Sequence, residues 1–166
     1  MREPGLLLAP TAGLPRLDHV GILVRDLDSA LMHWSNRFGV GVARTVEVPD
    51  MDISAVFLSV FGAEVELFTI HDLDALDAAL EGTPAKLDHI ALRLHHADGP
   101  ELAGCDIRGP GRAEPIAAPI RLGDATHVWT EPPGIDVLLQ LIRPSEWGLN
   151  TYIRCTTAGL ASRTAG

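Results

Sequence analysis

Cysteine is scarce, and the two that occur do not form a motif. Cys105 and Cys155 lie far apart with no CxxC spacing. That argues against a zinc ribbon or a disulfide frame and reads as free thiols in a reducing compartment. Basic residues are outnumbered: 13 Lys and Arg stand against 22 Asp and Glu, a net charge of −9. This excludes the basic footprint by which proteins bind nucleic acid non-specifically. It does not exclude an anionic small molecule, since a metal or a few arginines can set the local field. No apolar run approaches the roughly 20 residues that span a bilayer. Leu6 to Ala9 is too short for a signal-peptide core and meets Pro10 at once. The expectation is a cytoplasmic chain with a small-molecule substrate and neither nucleic acid nor membrane as partner.

What is present is repetition. Leu17-Asp18-His19-Val20-Gly21-Ile22 is echoed about 70 residues later by Leu87-Asp88-His89-Ile90-Ala91-Leu92. Each copy opens a run that reads as a strand. Each is followed by a polar residue sunk in an apolar strand: Glu66 in Val65-Glu66-Leu67-Phe68 and Gln140 in Leu138-Leu139-Gln140-Leu141. A polar side chain in a half-buried strand is costly unless it has a partner. Two such pairs placed by an internal repeat point to one shared partner, and a divalent metal is the economical one.

The rest of the chain organises around that repeat. With 46% hydrophobic residues in 166, one compact domain is expected, and 16 Gly and 12 Pro suit many short strands. Residues 1–15 read as an irregular arm. Residues 16–25 alternate, with Val20, Ile22 and Val24 on one face and His19, Gly21 and Leu23 on the other. Asp26 is a helix N-cap for Leu27, Ala30, Leu31, Trp34 and Phe38, and Gly39 is the stop. Strands follow at 40–48, 53–60 and 63–70, so module one, 16–70, is β-α-β-β-β. A linker, 71–85, carries a short helix from His71 to Leu80 with Leu73, Leu76 and Leu80 on one side. Module two, 86–143, begins with a strand at 87–95. Its helix should be only a turn or two, because Ala97 to Gly111 is interrupted by Gly and Pro. Strands near 114–122, 125–131 and 135–142 complete it, and 144–166 is a tail of little periodicity.

Tandem β-α-β-β-β modules with this motif resemble the vicinal oxygen chelate superfamily, which includes glyoxalases, extradiol dioxygenases and bleomycin resistance proteins. The segment from Leu17 to Leu27, then Ala30-Leu31, Phe38-Gly39, Phe57-Leu58, Glu64-Val65-Glu66-Leu67 and Leu87-Asp88-His89-Ile90-Ala91 resemble its methylmalonyl-CoA epimerase branch. The resemblance covers about 16–143. It implies an α+β fold in which both modules form a curved, incomplete barrel around one metal. It also implies a homodimer. The ligands carried over are His19, Glu66, His89 and Gln140, and the ion would be zinc, cobalt, nickel, manganese or iron. Small neighbours agree, since Gly21 and Ala91 share the faces of His19 and His89.

The resemblance implies proton transfer next to a carbonyl, through a metal-stabilised enediolate. Here the sequence departs from the pattern. The last-strand ligand, usually Glu, is Gln140, and an amide does not accept a proton near neutral pH. The other expected carboxylate position is Ala55. Two neutral His, one Glu and one Gln leave about +1 on a divalent ion. The proton carriers must then be other residues: His127, as general base, and Glu64, which shares the Glu66 face. Arg93, on the His89 face, suits a carboxylate or phosphate, and Trp129 alternates with His127 toward the cup. The expected activity is a metal-dependent isomerase, epimerase or lyase acting on a small carbonyl compound. Two His and one carboxylate also match a non-haem Fe(II) oxygenase. A third reading is a non-catalytic small-molecule binding or drug-resistance protein.

Overall fold

Alternation decides the first strand and capping decides where it ends. In the computed structural model, which describes residues 15–60, 62–94, 107–111, 120–131, 134 and 137–144, β1 runs Arg16–Val24. Asp26 then accepts a hydrogen bond from Ser29 N and starts helix α1, Leu27–Phe38. Gly39 closes it in the left-handed region, with φ 66°. Strands β2 (Val42–Val48), β3 (Ile53–Val60) and β4 (Ala63–Ile70) complete the first module. Helix α2 is Leu73–Leu80, and β5 is Ala85–Arg93. The remaining strands are β6 (Ile107–Arg108), β7 (Ile120–Leu122), β8 (Ala125–Thr130) and β9 (Leu138–Pro144).

The nine strands of the described residues join one mixed sheet in the order β2-β3-β4-β1-β5-β9-β8-β6, with β7 on β8. The sheet curls into a half-barrel whose inner face lines a cavity. Each module has the same heart: β1 is parallel to β4, and β5 is parallel to β9. The modules meet where β1 and β5 pair antiparallel.

The apolar residues divide between the two faces. Ile22, Val24, Val56, Leu58 and Leu67 pack on the outer face with Leu27, Ala30, Leu31 and Trp34 of α1. Leu58 and Leu67 have no exposed surface, and each such burial contributes roughly 1.5–3 kcal/mol. The inner cluster joins Leu23, Ile53, Phe57, Phe68 and Ile70 to Leu76 and Leu80 of α2. In the second module Leu92, Leu94, Val128, Leu139 and Leu141 form a cluster of their own.

Two expectations need correction. Leu73 does not join Leu76 and Leu80: it is 71% exposed. It shares their side of the helix but lies in the first turn, outside the cluster that holds Leu76 and Leu80 with Ala75 and Ala79. In 97–111, where only a turn or two of helix was expected, the end forms β6, paired with Trp129 and Thr130. An open edge of β8 supplied hydrogen-bond partners that local sequence cannot reveal. Residues 97–106, with Cys105, lie outside the described residues, as do Cys155, the arm to residue 14, the 114–119 part of the strand expected at 114–122 and the tail from 145.

The β1–β5 ladder contains two irregularities. Leu17 pairs with Leu92 and His19 with Ala91, which leaves Asp18 without a partner residue. Gly21 pairs with His89 and Ile22 with Leu87, which leaves Asp88 without one. These are two β-bulges at the same motif position in both modules, with Val20 opposite Ile90 between them. A bulge breaks the strict alternation of faces and re-aims a side chain.

Candidate metal centre

The bulges let two consecutive side chains serve one place. His19 Nδ1 donates to Asp18 Oδ1 at 2.8 Å, and His89 Nδ1 donates to Asp88 Oδ2 at 2.8 Å. With Nδ1 committed in both rings, Nε2 is the atom each offers inward. The two Nε2 atoms stand 3.3 Å apart. Each is 3.1 Å from Glu66 Oε2. Both histidines are buried, at 3% and 1% exposure.

Register puts the fourth polar residue in an equivalent place. Gly21 is the Cα partner of Glu66 on β4, and Ala91 is the Cα partner of Gln140 on β9. Each module therefore contributes a histidine and, beside the residue two positions on, a polar side chain. Gln140 donates through Nε2 to His127 Nδ1 at 3.0 Å. Its Oε1 is buried and has no hydrogen-bond partner among the described residues. A buried carbonyl oxygen left so is costly, and a bound ion is one of the explanations such an atom calls for.

The donor set suits a divalent ion. Bonds of about 2.1 Å to histidine nitrogen put neighbouring ligand atoms about 3.0 Å apart at 90° and about 3.4 Å apart at the tetrahedral angle. The three separations, 3.1, 3.1 and 3.3 Å, fall in that interval. Carboxylates on the far nitrogens of both rings are the usual companions of metal-binding histidines. Among the described residues, His19, Glu66 and His89 are the group of His and carboxylate side chains whose ligand atoms converge in this way.

Gly21 makes room for it. A Cβ at that position would stand 2.1 Å from His89 Cε1 and 2.4 Å from its Nε2. No side chain fits where the ring lies, so glycine is required by close approach rather than by backbone angle.

Electrostatics tie the cluster together. Burial alone would lower the pKa of His19, but hydrogen bonds to Asp18 and Glu66 outweigh it and raise the value. For His89 the same contest, with Asp88 and Glu66, ends at about 9. Burial would raise Glu66, but its bonds to the two rings bring it down to about 2. Without a metal His89 thus holds its proton beside the Glu66 carboxylate, and a cation can replace it.

The cavity at this centre has a volume of about 460 Å³. All eight residues expected from the sequence line it: His19, Glu64, Glu66, His89, Arg93, His127, Trp129 and Gln140. Val46, Val48, Met51 and Ile53 form an apolar wall, and Ala55 lines the cavity as well. His127 stacks on Trp129 with ring centroids 5.8 Å apart. Burial, reinforced by the charges of His19 and Arg93, lowers its pKa to about 4. It is therefore a neutral imidazole whose Nδ1 accepts from Gln140. Arg93 Nε donates to Asp18 Oδ2 at 2.6 Å.

A family model described as the glyoxalase/bleomycin resistance protein/dioxygenase superfamily matches residues 18–100, half of the chain. The chain belongs to that superfamily. The match begins at the first bulge and contains His19, Glu66 and His89, while His127, Trp129 and Gln140 lie beyond it. Mitochondrial methylmalonyl-CoA epimerase of Bos taurus is 33% identical over 87 residues, 52% of this chain and 47% of the bovine protein. The match thus spans about half the length of that relative. Among solved structures, methylmalonyl-CoA epimerase from Mycobacterium tuberculosis superposes with a TM-score of 0.64 at 23% identity. That alignment covers 84% of this chain and 93% of that one. A Streptomyces coelicolor methylmalonyl-CoA epimerase in complex with 2-nitronate-propionyl-CoA gives 0.61 at 20% identity, covering 80% of this chain and 99% of that one. At these identities the structural likeness is one of fold.

Several residues escaped the sequence reading of this superfamily member. Asp18 and Asp88 were in plain view, within the repeat, but alternation assigns them to the face opposite their histidines. Only the bulges turn them inward. Arg44 on β2 lies 3.4 Å over the Phe57 ring and bonds Glu64 Oε2 at 2.8 Å. Phe57 in turn meets the edge of His19, with centroids 5.2 Å apart. No periodicity signals an arginine stacked on an aromatic two strands from the motif.

Proposed function

We propose that this chain is a metal-dependent isomerase or epimerase, or a lyase, acting on a small carbonyl compound, with His19, Glu66, His89 and Gln140 as ligands. The observation that carries the reading is the buried triangle of His19 Nε2, His89 Nε2 and Glu66 Oε2, at coordination spacing, beside the unpartnered Gln140 Oε1. A divalent ion held there supplies Lewis acidity, polarising a carbonyl oxygen and stabilising negative charge on it, an effect worth several kcal/mol.

The chain's own side chains supply the rest. Glu66 is engaged by both rings and Asp18 by His19 and Arg93. Of the other carboxylates lining the cavity, Glu64 and Asp124, Glu64 shares the strand of Glu66 and is the one we assign to take a proton from the carbon next to the carbonyl. Arg44 fixes its position at 2.8 Å. His127, neutral and accepting at Nδ1 from Gln140, keeps its proton at Nε2 and donates it in a hydrogen bond to the substrate oxygen, while Glu64, once protonated, returns its proton to carbon. Arg93 binds an anionic group of the substrate. Trp129 and the apolar wall of Val46, Val48 and Met51 seat its carbon skeleton and exclude water. Ala55 leaves one wall without a carboxylate. The chemistry therefore rests on Glu64 and His127 and need not match that of the epimerase relatives, although methylmalonyl-CoA is the natural first substrate to test.

Metal analysis of chelator-free protein and solvent-deuterium exchange test this together. One divalent ion per chain is expected, with deuterium entering a substrate carbon. Glu64→Gln should lower exchange by at least about 100-fold with metal content intact. Iron with oxygen uptake would favour the Fe(II) oxygenase reading, which the two-His, one-carboxylate face also supports. Protein that takes up no metal after loading overturns both.

A further inference from the structure

We propose that Asp18 and Asp88 are positioning residues of the metal centre, and that only the first arm, Arg93–Asp18–His19, links it to what binds at the cavity rim. The proposal rests on the metal reading above and extends it to residues outside the ligand set.

Both aspartates occupy bulges, each an unpaired position in an otherwise regular ladder. Both spend one oxygen on the Nδ1 of the following histidine at 2.8 Å. That bond fixes the ring's orientation and reserves Nε2 for a ligand's role. Both side chains are mostly buried, at 14% and 10% exposure. A buried carboxylate needs a second partner, and here the arms differ. Asp88 Oδ1 accepts from the backbone N–H of Gly111 at 2.9 Å. Asp18 Oδ2 accepts from Arg93 Nε at 2.6 Å.

The difference matters because a backbone amide cannot respond to substrate, whereas a side chain can. Arg93 is 45% exposed and lines the cavity. It meets Asp18 through Nε, so that bond does not use the terminal fork of its guanidinium, the part suited to a carboxylate or phosphate. An anion on that fork moves a group that touches Asp18, which touches His19. The Asp88 arm ends on the main chain and is fixed.

The test uses the full chain, stripped of metal and titrated with Co(II), reading the visible d–d spectrum and the dissociation constant by chelator competition. Asp18→Asn and Asp88→Asn should each weaken Co(II) binding by roughly 10–100-fold with the far-ultraviolet circular dichroism unchanged. Arg93→Ala should weaken it several-fold in the wild-type and D88N backgrounds and add nothing in D18N. An equal Arg93→Ala effect in D18N overturns the relay, and wild-type affinity in both asparagine variants overturns the positioning role. If D18N does not fold, Arg93→Lys decides. Lysine keeps the charge without the Nε geometry, so the relay requires R93K to bind as weakly as R93A. Retention of wild-type affinity by R93K overturns it. Wild-type protein that binds no Co(II) overturns the metal reading itself, and the relay with it.

Discussion

The two modules share one register and differ at the residues that decide chemistry. In each, a histidine follows a bulged aspartate, and the residue two positions on faces a polar side chain on the parallel neighbour strand. In the first that pair is Gly21 and Glu66, and in the second it is Ala91 and Gln140. The shared register thus accounts for the common geometry, and the residues that differ for the asymmetry. One half supplies a carboxylate and the empty volume of a glycine. The other supplies an amide whose nitrogen holds His127. One aspartate reaches an arginine at the rim, the other a backbone amide.

The sharpest way to break this comparison is to exchange charge between the halves. Glu66→Gln removes the one carboxylate from the ligand set and should abolish metal uptake at micromolar metal, a loss of several kcal/mol, because the cation then meets only neutral donors. Gln140→Ala, its counterpart, should cost roughly tenfold or less, since it removes one neutral donor. Equal losses, read by metal content after dialysis, would show that the halves contribute alike.

The next contrast is steric. Gly21→Ala places a Cβ inside the His89 ring and should cost about 1–3 kcal/mol together with metal affinity. Ala91→Gly leaves His19 undisturbed and should cost about 0.5–1 kcal/mol through backbone entropy. Urea denaturation of the metal-free variants measures both. A tolerated G21A would mean that His89 has a second place to lie.

The last contrast is in pH. The folded value of His89, about 9, lies above its ordinary 6.5. Its contribution to stability is therefore complete below pH 6.5 and lost as pH rises through 9. Metal-free protein should lose on the order of 1–3 kcal/mol over that window. Metal-loaded protein, whose ligating imidazoles are already neutral, should not. Glu66 acts in the opposite sense: its folded value is about 2 against 4.5, so its contribution is present above 4.5 and fades as pH falls toward 2. His89→Gln should flatten the alkaline slope more than His19→Gln. Thermal melts from pH 6 to 9.5, with and without chelator, test this.

Local sequence determined the first module almost completely. Alternation in 16–24, the Asp26 cap, the Gly39 stop and the three further strand runs are signals that neighbouring residues impose through sterics and hydrogen bonding. The repeat likewise marked His19 and His89, and sunken polarity marked Glu66 and Gln140. Tertiary structure decided the rest. Period-two alternation says which face a side chain takes, but not that two strands 70 residues apart will pair antiparallel with a bulge at each Asp. That pairing brings Asp18 and Asp88 onto their histidines and forces glycine at position 21. It also brings Arg93 to Asp18, 75 residues away. Such contacts depend on the curl and register of the whole sheet, which are set by long-range packing and not by the residues' own neighbours.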